Sequence, residues 1–205
     1  MRKLRRLVLV RHGETEGNSS VRFHGRSDVP LSERGREQMR EVRRALGPLT
    51  FDLVGASPLR RSLEGAWIAG GGVPVRLFAE FAEIDFGIFE GLTLDEIRAR
   101  YPVAFEDWQA DPENFEFPGG EPRQAFRDRV ARGVSRLLSE PIYSALLVIH
   151  KGVIREMVRQ LAGAELERDR PGLGQLIWLT REDDGKFALG RHASIPPALD
   201  PFCRI

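Results

Sequence analysis

Cysteine is almost missing from this chain of 205 residues: Cys203 stands alone near the C-terminus. A lone cysteine forms no internal disulfide and no thiolate metal cluster, which fits a reducing compartment. Lysine is nearly as scarce, at Lys3, Lys151 and Lys186, so arginine carries almost all of the 31 basic residues, and 30 acidic residues offset them. Without an excess of one sign, no global field draws the chain to nucleic acid or to an anionic membrane, and any anion site has to be local. Long apolar runs are absent as well. The run Leu7 to Val10 stops at Arg11, too short for a signal-peptide core or a membrane span, and a cytoplasmic protein is expected. The chain has no internal repeat and no low-complexity segment.

The remainder is ordinary globular material, 41% apolar and 30% charged, and a single domain over residues 1–205 is expected from the length. Short β-branched apolar runs alternate with amphipathic stretches, the mark of an α/β fold. Leu7 to Val10, Phe51 to Ala56, Val73 to Phe78 and Ala145 to Ile149 read as strands, the apolar runs without alternation suiting burial on both faces. Ser32 caps a helix that runs to Leu46 and stops at Gly47-Pro48. Ser57-Pro58 is expected to start a second helix, with Ser57 as cap and Arg61 in its first turn. Gly70 to Gly72 ends that helix. Thr93 to Tyr101 reads as a short helix broken by Pro102, and the aromatic, proline-bearing stretch 101–122 as an irregular cap. Helical spacing returns over Gln124 to Ser139 and Val153 to Leu161. Gln175 to Thr180 and Lys186 to Gly190 form an antiparallel pair turned at Asp183-Asp184-Gly185. The proline-rich tail after Arg191 carries no expected element.

Two strands end alike, in Arg11-His12-Gly13 and in His150-Lys151-Gly152. Ligands of open α/β sheets bind at the carboxyl ends of strands, so the fold can bring His12 and His150 together, and the strand ending near Ser57 delivers Arg61 to the same rim. Imidazoles, guanidinium forks, close-approach glycines and helix amino ends make a phosphate site. Neutral imidazole, with a pKa near ~6.5, is a nucleophile at neutral pH. Taken one at a time these residues are unremarkable, since a strand-end histidine is commonly a hydrogen-bonded filler and Arg61 a solvated helix arginine. No HxH, HExxH or nearby carboxylate set makes the histidines metal ligands. Gly70 to Gly72 lacks the Lys-Ser/Thr of a P-loop.

The segment Leu9-Val10-Arg11-His12-Gly13-Glu14-Thr15 resembles the signature of the histidine phosphatase superfamily, which includes the cofactor-dependent phosphoglycerate mutases. The likeness continues through Asn18, the block Gly25 to Gly35, Gln38, Ser57 to Ser62, Glu83 to Gly87, Glu90 to Thr93, Pro118 to Glu121 and Val148 to Arg155, in order along the chain. It implies a three-layer α/β/α fold, with a mostly parallel central sheet and helices on both faces. It implies that His12 accepts the phosphoryl group, that Arg11, Arg61 and a protonated His150 hold its oxygens, and that Glu83 protonates the leaving oxygen. Asn18, His24 and Gly25 fall where substrate is bound. The implied partner is a small phosphate monoester, with no cofactor or metal, and none of these motifs sets an oligomeric state.

Three positions depart from the pattern. Gly65 replaces a frequent threonine, a change expected to affect helix packing more than chemistry. Lys151 replaces a small residue and reads as a solvated cap residue, although an ammonium beside His150 would lower its pKa. His24 replaces a polar amide and either lines the substrate mouth or faces water. The compact spacing from Glu83 to His150 favours a hydrolase over a mutase, whose insertion normally falls there. Phe86-Gly87 followed by Glu90-Gly91 resembles the α-ribazole phosphatases and the broad-specificity bacterial phosphatases. A non-catalytic phospho-ligand binder on the same fold is the other reading, set against the presence of His12, Arg61, Glu83 and His150.

Overall fold

The computed structural model describes residues 3–16, 21–167 and 169–190. Among them six strands form one sheet in the order β3-β2-β4-β1-β5-β6. The strands are β1 (Arg6–Arg11), β2 (Leu53–Ala56), β3 (Arg76–Leu77), β4 (Ser144–Ile149), β5 (Leu176–Arg181) and β6 (Phe187–Leu189). β1 to β4 run parallel, and β5 and β6 add an antiparallel edge. The helices are α1 (Glu33–Leu46), α2 (Arg60–Ala69), α3 (Leu94–Arg100), α4 (Pro102–Ala110), α5 (Arg123–Leu138) and α6 (Lys151–Ala162).

Because successive strand side chains point to opposite faces, β1 splits between two cores. Leu7 and Leu9 join one with residues of α5 and α6, while Val8 and Val10 join the other with Met39 and Val42 of α1 and Ala66 of α2. This is the expected three-layer arrangement, and it makes the carboxyl ends of β1, β2 and β4 one rim. The hairpin of β5 and β6 also forms as expected, with Glu182 donating to the Lys186 carbonyl across the turn. Gly65 packs α2 closely on its neighbours: a Cβ there would sit 3.1 Å from Met39 and from Val148.

Several expected boundaries move. β2 starts at Leu53, because the Asp52 carboxylate is spent on the Tyr143 and Ser144 amides at the start of β4. β3 shrinks to two residues, since Pro74 has no N–H to give a ladder. α2 begins at Arg60 with Leu59 as its cap, so Ser57 is not the cap. Its hydroxyl accepts from the Leu59 amide at 3.3 Å and contacts the His150 ring at 2.7 Å. The stretch 101–122 is not wholly irregular: Pro102 ends α3 but occupies the first turn of α4, where its missing N–H costs nothing. Aromatics of this region interlock, with Phe89 stacked on Phe115 at 5.7 Å and edge-on to Phe117 at 5.6 Å. The tail after Arg191 lies outside the described residues.

The turn after β1 rests on the start of α1 through glycines. A Cβ on Gly13 would lie 2.4 Å from the Gly35 carbonyl oxygen, and one on Gly35 would lie 1.9 Å from that of Glu14. Gln38 accepts from the Glu14 amide at 2.8 Å and Ser32 donates to the Glu14 carboxylate at 3.2 Å, locking the turn in place. Gly35→Ala should therefore cost about 1–3 kcal/mol through overpacking against backbone, read as a lowered midpoint in urea unfolding. An unchanged midpoint would show that the turn yields.

Candidate active site

β1 and β4 pair with Arg11 opposite Ile149. The His12 amide donates to the Ile149 carbonyl at 3.0 Å, carrying the pairing one step beyond the strands. The two histidines that follow therefore stand edge to face with ring centroids 5.1 Å apart. His12 Nδ1 lies 2.7 Å from the Gly13 carbonyl, which only accepts, so Nδ1 carries the proton and Nε2 the lone pair. Arg61 Nε–H reaches that lone pair at 3.3 Å.

Both imidazoles are buried. Burial holds the His12 pKa well below 6.5, with Arg61, Arg11 and His24 adding to the effect and the Gly13 hydrogen bond opposing it. Burial also holds His150 well below 6.5, helped by Arg61, His12, Arg11 and Arg129. Without a bound anion, burial and the neighbouring cations thus disfavour a protonated His150. His150 Nε2 contacts the Ser57 hydroxyl at 2.7 Å. Its Nδ1 has no hydrogen-bond partner among the described residues.

Arg61 is fully buried, which costs several kcal/mol for an unpaired charge. Its guanidinium is answered by carbonyls, donating to Ser27 at 2.6 Å, Gly25 at 2.7 Å and His24 at 2.9 Å. Burial still lowers its pKa, with Glu83, Glu90 and Asp28 opposing. Glu90 holds the same loop from the other side, accepting from Gly25 N, Arg26 N and the Ser27 hydroxyl at 3.2, 2.9 and 2.6 Å. Gly25 thus has both backbone polar groups engaged, and a Cβ there would fall 2.0 Å from the Ile84 carbonyl oxygen. His24 lies close enough to His12 to act on its charge. Asn18 lies outside the described residues.

Arg11 donates through Nη1 to Pro171 at 3.2 Å, while its buried Nε has no partner among the described residues. Burial lowers its pKa to about 10, with Glu83 opposing and Arg61 reinforcing. Glu83 is buried and accepts from Gly152 N and Ile84 N at 3.0 Å each. Its carboxyl group sits at the amino end of α6. Only glycine at 152 permits this, since a Cβ would meet Glu83 Oε1 at 2.5 Å.

Sequence reasoning did not find the support beneath Glu83. Arg129 donates to the Glu80 and Ala82 carbonyls at 2.7 and 2.8 Å and pairs with Glu121 at 2.6 Å. Glu121 in turn donates its amide to the Asp85 carbonyl at 3.1 Å. Glu121 and Glu90 were visible as motif letters; the contacts that give them work were not. The structure thus assembles His12, His150, Arg11, Arg61 and Glu83 at one rim. Among the described residues no group of His, Cys, Asp and Glu has the makings of a metal site, and no helix is long and apolar enough to cross a membrane. The arrangement offers an unprotonated imidazole nitrogen, unsatisfied donors beside it and a carboxyl group within the same electrostatic neighbourhood.

Residues 7–191 match the family model described as histidine phosphatase superfamily (branch 1). The adenosylcobalamin/α-ribazole phosphatase of Escherichia coli (strain K12) is 34% identical over 188 residues, covering 88% of this chain and 86% of that protein. Phosphoserine phosphatase 1 of Hydrogenobacter thermophilus is 30% identical over 166 residues, covering 80% and 79%. The structure of a mycobacterial glucosyl-3-phosphoglycerate phosphatase with VO3 superimposes with a TM-score of 0.78 at 30% identity, covering 90% of this chain and 97% of that one.

Neutral, buried histidines carry a linked expectation. An unfolded chain protonates His12 and His150 near the ordinary ~6.5, whereas the folded protein resists until lower pH. Their contribution to stability is therefore intact above that value and is lost as pH falls toward the depressed folded pKa values. Urea unfolding between about pH 6 and pH 5 should show a slope that falls by up to about 1.4 kcal/mol per pH unit for each histidine replaced by asparagine. An unaltered slope would mean that the imidazoles protonate inside the folded protein.

Proposed function

The chain belongs to the histidine phosphatase superfamily and is a phosphatase, and from that premise we propose that it hydrolyses small phosphate monoesters through a phosphohistidine on His12, without a metal ion. The observation that carries the reading is the state of His12: a buried imidazole with its proton fixed on Nδ1 by Gly13 and its Nε2 lone pair facing a guanidinium. That is a nucleophile beside an anion-binding donor.

In the first step the Nε2 lone pair attacks phosphorus as the P–O bond to the leaving group breaks, and Glu83 in its acid form delivers a proton to that oxygen. The Nε–H of Arg61 turns from Nε2 to a phosphoryl oxygen. Arg11 Nε and His150 Nδ1, unsatisfied and buried, bind the others. Burial makes each of these donors worth more than it is in water. A phosphoryl dianion also favours protonation of His150, against the pull of the arginines. In the second step Glu83 takes a proton from water, whose oxygen attacks phosphorus, and the P–N bond returns its electrons to Nε2. Charge neutralisation by side chains does what a metal ion does elsewhere.

A mutase shares the first step. The Escherichia coli and Hydrogenobacter relatives are phosphatases matched over most of their length, which supports water as the acceptor. The names of the relatives span α-ribazole, phosphoserine and glucosyl-3-phosphoglycerate, and the common denominator is a small phosphate monoester.

Enzyme quenched in turnover with alkaline detergent should carry a base-stable, acid-labile phosphoryl group that His12→Asn abolishes together with activity; normal turnover by that variant overturns the mechanism. Glu83→Gln should lose roughly 10²–10⁴-fold on alkyl phosphates, the usual worth of general acid catalysis. Its loss in the nitrophenolate burst from p-nitrophenyl phosphate should be distinctly smaller, because that leaving group departs without a proton. Equal losses in the phosphorylation step for both substrates would move the acid role away from Glu83.

A further inference from the structure

Lys151 breaks the local rules that its neighbours obey. It is the first residue of α6, where the helix dipole disfavours a cation, and its side chain is half-buried. Its charged neighbours are of both signs: Arg11 and Arg155 repel its charge, and Asp169 and Glu83 attract it. Neither carboxylate reaches it, for among the described residues Lys151 makes no hydrogen bond or ion pair. Arg155 and Glu83 are already committed. Arg155 pairs with Glu113 at 3.0 Å and donates to the Leu166 and Glu167 carbonyls at 2.9 and 2.7 Å. Glu83 is held by the Ile84 and Gly152 amides.

An unpaired, part-desolvated cation placed against a helix dipole is unfavourable unless an anion joins it. Arg11, which acts on the Lys151 charge, leaves Nε unsatisfied, and His150, the residue before it, leaves Nδ1 unsatisfied. In the proposed reaction Arg11 and Arg61 already match the two charges of a phosphoryl dianion. The charge left over is the single ammonium of Lys151, which matches a monoanion. Building on the phosphatase reading, we propose that Lys151 binds a carboxylate on the leaving alcohol, so that the preferred substrates are phosphate esters of small hydroxy acids. Burial and the two guanidiniums lower the Lys151 pKa to about 8, with Asp169 and Glu83 opposing. Carboxylate recognition is therefore strongest below that pH and fades as the ammonium loses its proton.

The test compares 3-phosphoglycerate with glycerol 3-phosphate, which differ in a carboxylate against a hydroxymethyl group. The wild-type protein should prefer 3-phosphoglycerate. Lys151→Met should lower the ratio of kcat/KM between the two by roughly ten- to a hundredfold, the worth of a charge-assisted hydrogen bond. The loss should come chiefly from a raised KM for the carboxylate-bearing ester, and Lys151→Arg should restore most of it. With the wild-type protein, KM for that ester should climb above about pH 8 more steeply than KM for glycerol 3-phosphate, a readout that needs no variant to fold. An unchanged ratio in a folded Lys151→Met or parallel pH profiles each overturns the carboxylate site. Wild-type protein inert toward both esters and p-nitrophenyl phosphate would overturn the phosphatase reading, and this proposal with it.

Discussion

The parallel pairing of β1 with β4 is the constraint on which the site depends. With Arg11 opposite Ile149 and the His12 amide on the Ile149 carbonyl, a slip of one residue would turn each strand's apolar set to the opposite face. The two cores that sandwich β1 forbid it. The register then leaves the imidazoles no choice but to adjoin, and two neighbouring imidazoles between buried arginines do not readily become cations. Their neutrality, the property a nucleophile needs, is thus a consequence of sheet packing.

The buried guanidinium of Arg61 shows how such a site tolerates its own charge. Three carbonyls of the loop 24–27 accept from it, and Glu90 fastens the amides of the same loop. The loop is held between opposite charges, so its backbone is ordered by the same arginine that stands against His12. Resemblance assigns Arg61 to phosphate oxygens alone. In the structure it also organises the loop through these carbonyls while its Nε–H stands against His12 Nε2. The Arg129–Glu121 pair does the equivalent for Glu83 by holding the carbonyls before it.

Lys151 and Gly152 illustrate two kinds of deviation at one helix start. Gly152 gives up a side chain so that Glu83 can lie on the amide, which fixes the position of the carboxyl group. Lys151 has helix dipole, burial and two neighbouring guanidiniums against its charge, and only the longer-range pull of Asp169 and Glu83 opposes them.

Much of the frame was legible from the residues alone, because the signals are short-ranged. Unbroken apolar runs marked β1 and β4, Ser32 marked the start of α1 through a cap bond to Gly35 three residues away, and Asp183 to Gly185 marked the last hairpin. The motif blocks named His12, His150, Arg11, Arg61 and Glu83, and the fold collects them. What the sequence could not determine were interactions whose partners lie far apart along the chain. Ser57 looked like a helix cap because its partner, the His150 ring, lies 93 positions away. Pro102 looked like a break because only packing of the aromatic cap decides that a second helix follows. Glu121 could not be linked to Arg129 and the Glu83 loop, nor Glu90 to Gly25, without the sheet that brings them together. The charge states were hidden for the same reason: desolvation depends on the atoms that surround a group, and neither the neutral His150 nor the partnerless Lys151 exists until tertiary structure has removed the water.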